Sequence, residues 1–190
     1  MTTASPAGGK RERTSARLLL CALALFESQG FEETTVAQIA ETAGVAPMTF
    51  FRHFAAKAQV LLDDPYDPVI AASIARQPRR LRALARTTAG LRQAWAELPE
   101  PISEIQRRRV RVVATTPSLW GEMLASNART EQLIVDQLVR DGTDRLTARA
   151  AAAATLAAVA AGLVEWSQQD DGSIGDAVTR ALGVLDGADG

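Results

Sequence analysis

Apolar residues recur every three or four positions through most of the chain, and no stretch alternates apolar and polar residues between turn signals as a half-buried strand would. The pattern predicts an all-α protein. A first helix is expected over 14–29: Leu18, Ala22, Leu25 and Phe26 fall on one face at i, i+4, i+7 and i+8, and Gly30 follows as a stop. In "TTVAQIAETAG", Thr35 and Gln38 have the spacing of a capping box. Val36, Ile39 and Ala40 then form the buried stripe of a short helix closed by Gly44. Pro47 suits the first turn of a third helix, where a missing N–H costs nothing. Two short helices joined by a tight glycine turn, with a longer helix ahead to complete a core, outline a helix-turn-helix. An αα-hairpin in some other helical bundle has the same outline.

Beyond Lys57 the periodicity predicts a connecting helix disturbed near Pro65 and Pro68, then helices near 79–97, 102–115, 118–140, 144–170 and 174–185. The stretch "AAAAATLAAVAAGLV", 150–164, tempts a membrane reading. Its 15 residues are too short to span a bilayer and mostly weakly apolar alanine, so a helix packed against another helix is expected. Ala154, Ala158, Ala161 and Gly162 permit close helix approach there, across a dimer interface or within one chain.

Charge adds little to this picture. The formal net charge is −1, and residues 1–60 hold six Lys/Arg against five Asp/Glu, which argues against a protein that coats nucleic acid through a strongly basic surface. The early cations are concentrated in Lys10, Arg11, Arg13 and Arg17, following a small, polar segment 1–9 that reads as a disordered arm. A single cysteine, Cys21, excludes an intramolecular disulfide framework and suits a reducing cytoplasm. One histidine and one cysteine make no metal cluster, no glycine-rich phosphate loop is present, and neither an enzyme nor a cofactor is expected.

The segment "GFEETTVAQIAETAGVAPMTFFRHFAAKAQVLL" carries more information than its periodicity. With a Gly-aromatic pair, a Thr-rich cap, an Ile-Ala pair, a Gly-Val turn and a Thr-Phe-aromatic-Arg-aromatic-Phe run followed by Lys, it resembles the N-terminal signature of TetR-family transcriptional regulators. The match runs without a gap from about Arg13 to Leu62. "TFFRHF", "DPYDPVIAASIARQP" and "LPE…RRRVRVVATTPSL" are similar to the actinobacterial branch typified by mycofactocin-system regulators. The resemblance implies a helix-turn-helix DNA-binding domain over 10–56 and a larger helical ligand-binding and dimerisation domain over 57–190. The partners it implies are double-stranded operator DNA, a small-molecule inducer and a second copy of the chain, with no membrane.

Phe50 and Phe54, four apart, are expected to hold the third helix to the core. By resemblance, Thr49, Phe51 and His53 touch the DNA backbone, Pro47 and Met48 lie toward base edges, and Lys57 reaches a phosphate. Arg13 of the basic arm and Thr35 join this set. Gln38, Thr49 or Arg52 could supply a polar base contact, and spacing does not choose among them. Three departures from the family pattern predict modest affinity per half-site. Ala46 replaces a capping serine, which typically costs about 1 kcal/mol. Phe51 lacks the hydroxyl of the commoner tyrosine, and Ala56 removes another possible cap.

For the larger region, large apolar side chains on the central helices suggest a pocket among Leu91, Trp95, Val112, Trp120, Met123 and Leu124, or simply a core. In "QRRRVRVV", Arg107, Arg108 and Arg111 form either a solvated face, with Glu104 paired to Arg108, or an anion site at a pocket mouth. The latter would suit a carboxylate or the phosphates of an acyl-CoA. The function implied is a ligand-responsive repressor released from a near-palindromic operator by a small hydrophobic or amphipathic inducer. The alternative is a helical ligand- or partner-binding module without operator recognition.

Overall fold

The computed structural model describes residues 6–62, 67–97, 103–169 and 171–187. Ten α-helices account for most of them, and no strand occurs among the described residues. The chain forms two compact units. One runs to residue 63 and also takes in Val112–Glu122; the other comprises 64–111 and 123–190. The boundary expected at 57 therefore falls inside the first unit, where Ala58, Val60 and Leu61 are buried.

In the first unit, α1 (Pro6–Gln29) is followed by α2 (Val36–Thr42), α3 (Pro47–Phe51) and the short α4 (Gln59–Leu62). α1 ends where its pattern predicts but begins earlier, so residues 6–9 of the expected disordered arm are helical; residues 1–5 lie outside the described residues. Pro6 tolerates a first-turn position, and the Lys-Arg-Glu-Arg run that follows is made of good helix formers. Its core face is Leu18, Ala22, Leu23 and Phe26, with Leu25 only half-buried. The expected face is thus rotated by a fraction of a turn, since Leu23 lies on the far side of Phe26 from Leu25 on the helical wheel. Ile39, Ala40, Phe50, Phe54 and Leu119 complete this core.

The capping box forms. The Gln38 amide donates to Thr35 Oγ1 at 3.2 Å, and the Thr35 amide donates to Gln38 Oε1 at 2.8 Å. α2 stops in a Schellman arrangement: the Val45 amide donates to Ala40 O and the Gly44 amide to Glu41 O, both at 2.9 Å. Gly44 takes φ +64°, which a side chain would resist. That closure turns the chain into Pro47, the first residue of α3.

The second unit contains α5 (Asp67–Arg76), α6 (Ala83–Ala96), most of α7 (Ser103–Ala114) and α8 (Trp120–Arg140), with α9 (Arg145–Ser167) and α10 (Ile174–Leu185). Its core joins Ile74, Leu91, Ile134, Leu138, Ala152, Val178 and Leu182. Buried among these helices is an ion pair. Arg86 donates to Asp141 Oδ2 at 2.5 Å, and both side chains are at least 96% enclosed. The Arg86 bond first, and a second from Gln137, hold the Asp141 carboxyl below the usual carboxylate range against the opposing effect of burial.

α9 is 23 residues long, so the expectation that it is too short to cross a membrane does not hold on length and apolar composition. The alanine run is extended at both ends by helical residues, starting from an Asp144 cap that accepts from the Thr147 amide at 2.9 Å. Much of the helix is enclosed by neither α6 nor α10: Leu146, Ala150, Ala153, Ala157 and Ala161 are all exposed.

Candidate nucleic-acid interface

α3 divides its residues cleanly. Phe50 is fully buried and Phe54 nearly so, their rings 5.5 Å apart, while Met48 and Phe51 are 72% and 50% exposed. Pro47 and Arg52 are exposed as well, and Thr49 and His53 are half-buried. The anchors hold the helix, and its other side is left outward. Ala46 caps α3 with backbone only, with no side-chain hydrogen bond.

Several polar candidates are held in place. Arg52 donates to Thr49 Oγ1 at 3.3 Å, linking two residues proposed from sequence as alternatives. Gln38 Oε1 is taken by the cap at Thr35 and approached by Gln29 Nε2 at 3.4 Å, which leaves only its NH₂ for other work. Thr35 is exposed, but its hydroxyl serves the same cap. Arg13 is exposed on α1.

His53 Nδ1 lies 2.7 Å from Ser15 Oγ, tying the exit of α3 to α1. Burial first, then the cationic Arg11 and Arg52, hold the imidazole below its usual pKa. In the neutral tautomer with the proton on Nε2, the serine donates to Nδ1 and Nε2–H is presented as a donor. Sequence reasoning missed Ser15. Its only signal is a hydroxyl within the basic stretch of α1, and the two residues are 38 positions apart.

Lys57 is engaged within the chain. Its ammonium donates to the carbonyls of Phe31 at 2.7 Å and Thr34 at 2.9 Å, with Glu32 at 3.4 Å. It also stands 4.1 Å from the centroid of the Phe31 ring. The side chain is directed into the α1–α2 turn.

The residues proposed for a ligand pocket are not alike. Leu91 is buried in the core of the second unit, Trp95 packs on that core and Met123 is half-buried. Leu124 is 64% exposed. Val112 and Trp120 belong to the first unit, with Val112 buried and Trp120 56% exposed. Arg108 is half-buried. Arg107 is half-buried and Arg111 exposed, and both donate to backbone carbonyls of the same chain. Arg107 donates to Gln169 O at 2.6 Å and Gly172 O at 3.0 Å and lies over the Trp166 ring, while Arg111 donates twice to Ser167 O. Arg111 thus satisfies a carbonyl of the last turn of α9, where the helix leaves acceptors unpaired and the dipole is negative, while Arg107 bonds the connection that follows.

Of the small residues proposed for a dimer interface, Gly162 is used within the chain. A Cβ there would lie 2.7 Å from Ala181 Cβ and 3.1 Å from Ala177 O, so its close approach is to α10. Ala154 and Ala158 are half-buried, and Ala161 is exposed.

Residues 18–63 match the family described as "Bacterial regulatory proteins, tetR family", and residues 81–188 match the "MftR C-terminal domain". The HTH-type transcriptional regulator TcmR of Streptomyces glaucescens is 34% identical over 143 residues, which cover 71% of this chain and 63% of that protein. This chain thus spans less than two thirds of that relative's length. A TetR-family transcriptional regulator from Syntrophomonas wolfei shares the fold with a TM-score of 0.60 at 14% identity, over 93% of this chain and 95% of that one. NalD of Pseudomonas aeruginosa, the secondary repressor of the MexAB-OprM multidrug efflux pump, aligns with a TM-score of 0.52 at 20% identity, over 92% and 95% of the two chains.

Proposed function

The chain belongs to the TetR family of bacterial regulatory proteins, and from that premise we propose that it is a homodimeric repressor that binds a near-palindromic operator and is released by a small hydrophobic or amphipathic inducer. The observation that carries this reading is the division of α3: its phenylalanine anchors are buried while Pro47, Met48, Phe51 and Arg52 face outward. Phosphate contacts orient such a helix and base-edge contacts select the sequence. Thr49, His53 and Arg13 supply polar and cationic contacts to the backbone. Pro47 and Met48 meet thymine methyls, and Arg52 offers the polar base contact. Thr35 and the Gln38 NH₂ flank them at the start of α2.

A dimer places two recognition helices about one DNA turn apart, roughly 34 Å. Support for self-association comes from α9, whose exposed Leu146, Ala150, Ala153, Ala157 and Ala161 form one stripe of small and apolar residues. The inducer enters the second unit near Leu91, Trp95 and Met123. Arg107 and Arg111 donate to carbonyls at and beyond the end of α9, so the phosphates of an acyl-CoA would have to compete with those carbonyls for them.

Selection of bound duplexes from a random DNA pool by the purified protein tests the reading. An enriched near-palindrome bound by a dimer is the expected result. No enrichment from a folded dimer would overturn it in favour of a helical ligand- or partner-binding module.

A further inference from the structure

An ammonium has three N–H donors and no acceptor, and each donor of Lys57 has a carbonyl within reach: Phe31, Thr34 and, at the longest distance, Glu32. The Phe31 ring lies against the same charge. These groups belong to one turn, the connection between α1 and α2. That turn is itself closely bonded, since the Thr34 hydroxyl donates to Gly30 O at 2.8 Å and the Gln29 amide reaches Glu33 O and Thr34 Oγ1. Thr34 is 1% exposed, and the next residue is the cap of α2. On the other side, Lys57 follows the buried Phe54 by three residues, and the intervening chain is held by the Ala55 amide donating to Gln59 Oε1 at 2.9 Å.

We propose that Lys57 is a positioning residue: it clamps the α1–α2 turn to the chain leaving the recognition helix, and it does not neutralise a DNA phosphate. The proposal rests on the DNA-binding reading of this head. Three backbone carbonyls and an aromatic face already solvate the half-buried charge, so a phosphate would have to compete with them for its N–H donors. What the DNA receives from Lys57 is the orientation of α3 relative to α1 and α2.

Charge and geometry can be separated with two substitutions. Lys57→Ala removes both. Lys57→Arg keeps the charge and is a good phosphate ligand, but its planar fork cannot aim three donors at converging carbonyls. Both variants and the wild type are titrated over a range of salt concentrations with the duplex recovered by selection, and amide exchange is followed over residues 31–38. The clamp predicts that both variants bind about tenfold or more weakly, with the slope of log K against log salt unchanged and faster exchange in 31–38. A slope shallower by about 0.9 in Lys57→Ala, with Lys57→Arg binding like wild type and exchange unaltered, overturns it. Should Lys57→Ala fail to fold, the Arg variant decides by the same readouts. If the wild type selects no duplex, the DNA-binding reading fails while the clamp still stands or falls on the exchange of 31–38 in Lys57→Arg.

Discussion

His53 is the one histidine in the chain, and its environment resists a second proton. With the folded pKa below the usual 6.5, the folded state binds fewer protons than the unfolded state just under that pH. The stability associated with neutral His53 is therefore complete above about pH 6.5 and is lost as the pH falls toward the folded pKa. Thermal unfolding of the free protein between about pH 7.5 and 5.5 should fall more steeply for wild type than for His53→Gln. Equal slopes would mean that burial and the two arginines do not hold the imidazole below its usual pKa. At this scale the family resemblance identified His53 as a residue of interest but not its bond to Ser15, because a contact across 38 positions has no local signature. Lys57 is the same case: its position in the motif is legible, while the direction of a four-carbon stem depends on where three carbonyls happen to converge.

Among elements, α2 is the clearest to read ahead of the structure. Its capping box and Gly44 stop are local chemistry and form as their residues require. α3 lacks such a cap, and its Ala46 leaves the first amides without a side-chain acceptor. Ala46→Ser should stabilise the head by about 1 kcal/mol in urea unfolding. Operator affinity should rise by up to about fivefold if the free helix is part-frayed. An unchanged midpoint would show that α3 is ordered entirely by Phe50 and Phe54. The arginine run in α7 was the least legible element feature. Four closely spaced cations look like a face seeking anions, yet two of them find carbonyls at and beyond the end of α9 more than fifty residues away.

For the whole molecule, the exposed stripe on α9 is the surface proposed for a second copy. Ala157→Glu would place two carboxylates near each other across a two-fold axis, besides desolvating each. Sedimentation should then report a monomer, and affinity for a full near-palindrome should drop by about 10²-fold or more through loss of avidity. A variant that remains dimeric would place the interface elsewhere.

What the sequence by itself determined are the features that depend on neighbours within a few positions: helical class, the caps and stops of the short helices, the burial of Phe50 and Phe54, and a signature sufficient to place the chain in its family. The tertiary structure alone decided where long polar side chains end. It turned Lys57 inward and joined His53 to Ser15. It closed Arg107 and Arg111 onto carbonyls at and beyond the end of α9 and packed Gly162 against α10. Backbone periodicity follows from steric rules that act locally, whereas a flexible charged side chain settles wherever folding leaves acceptors unpaired.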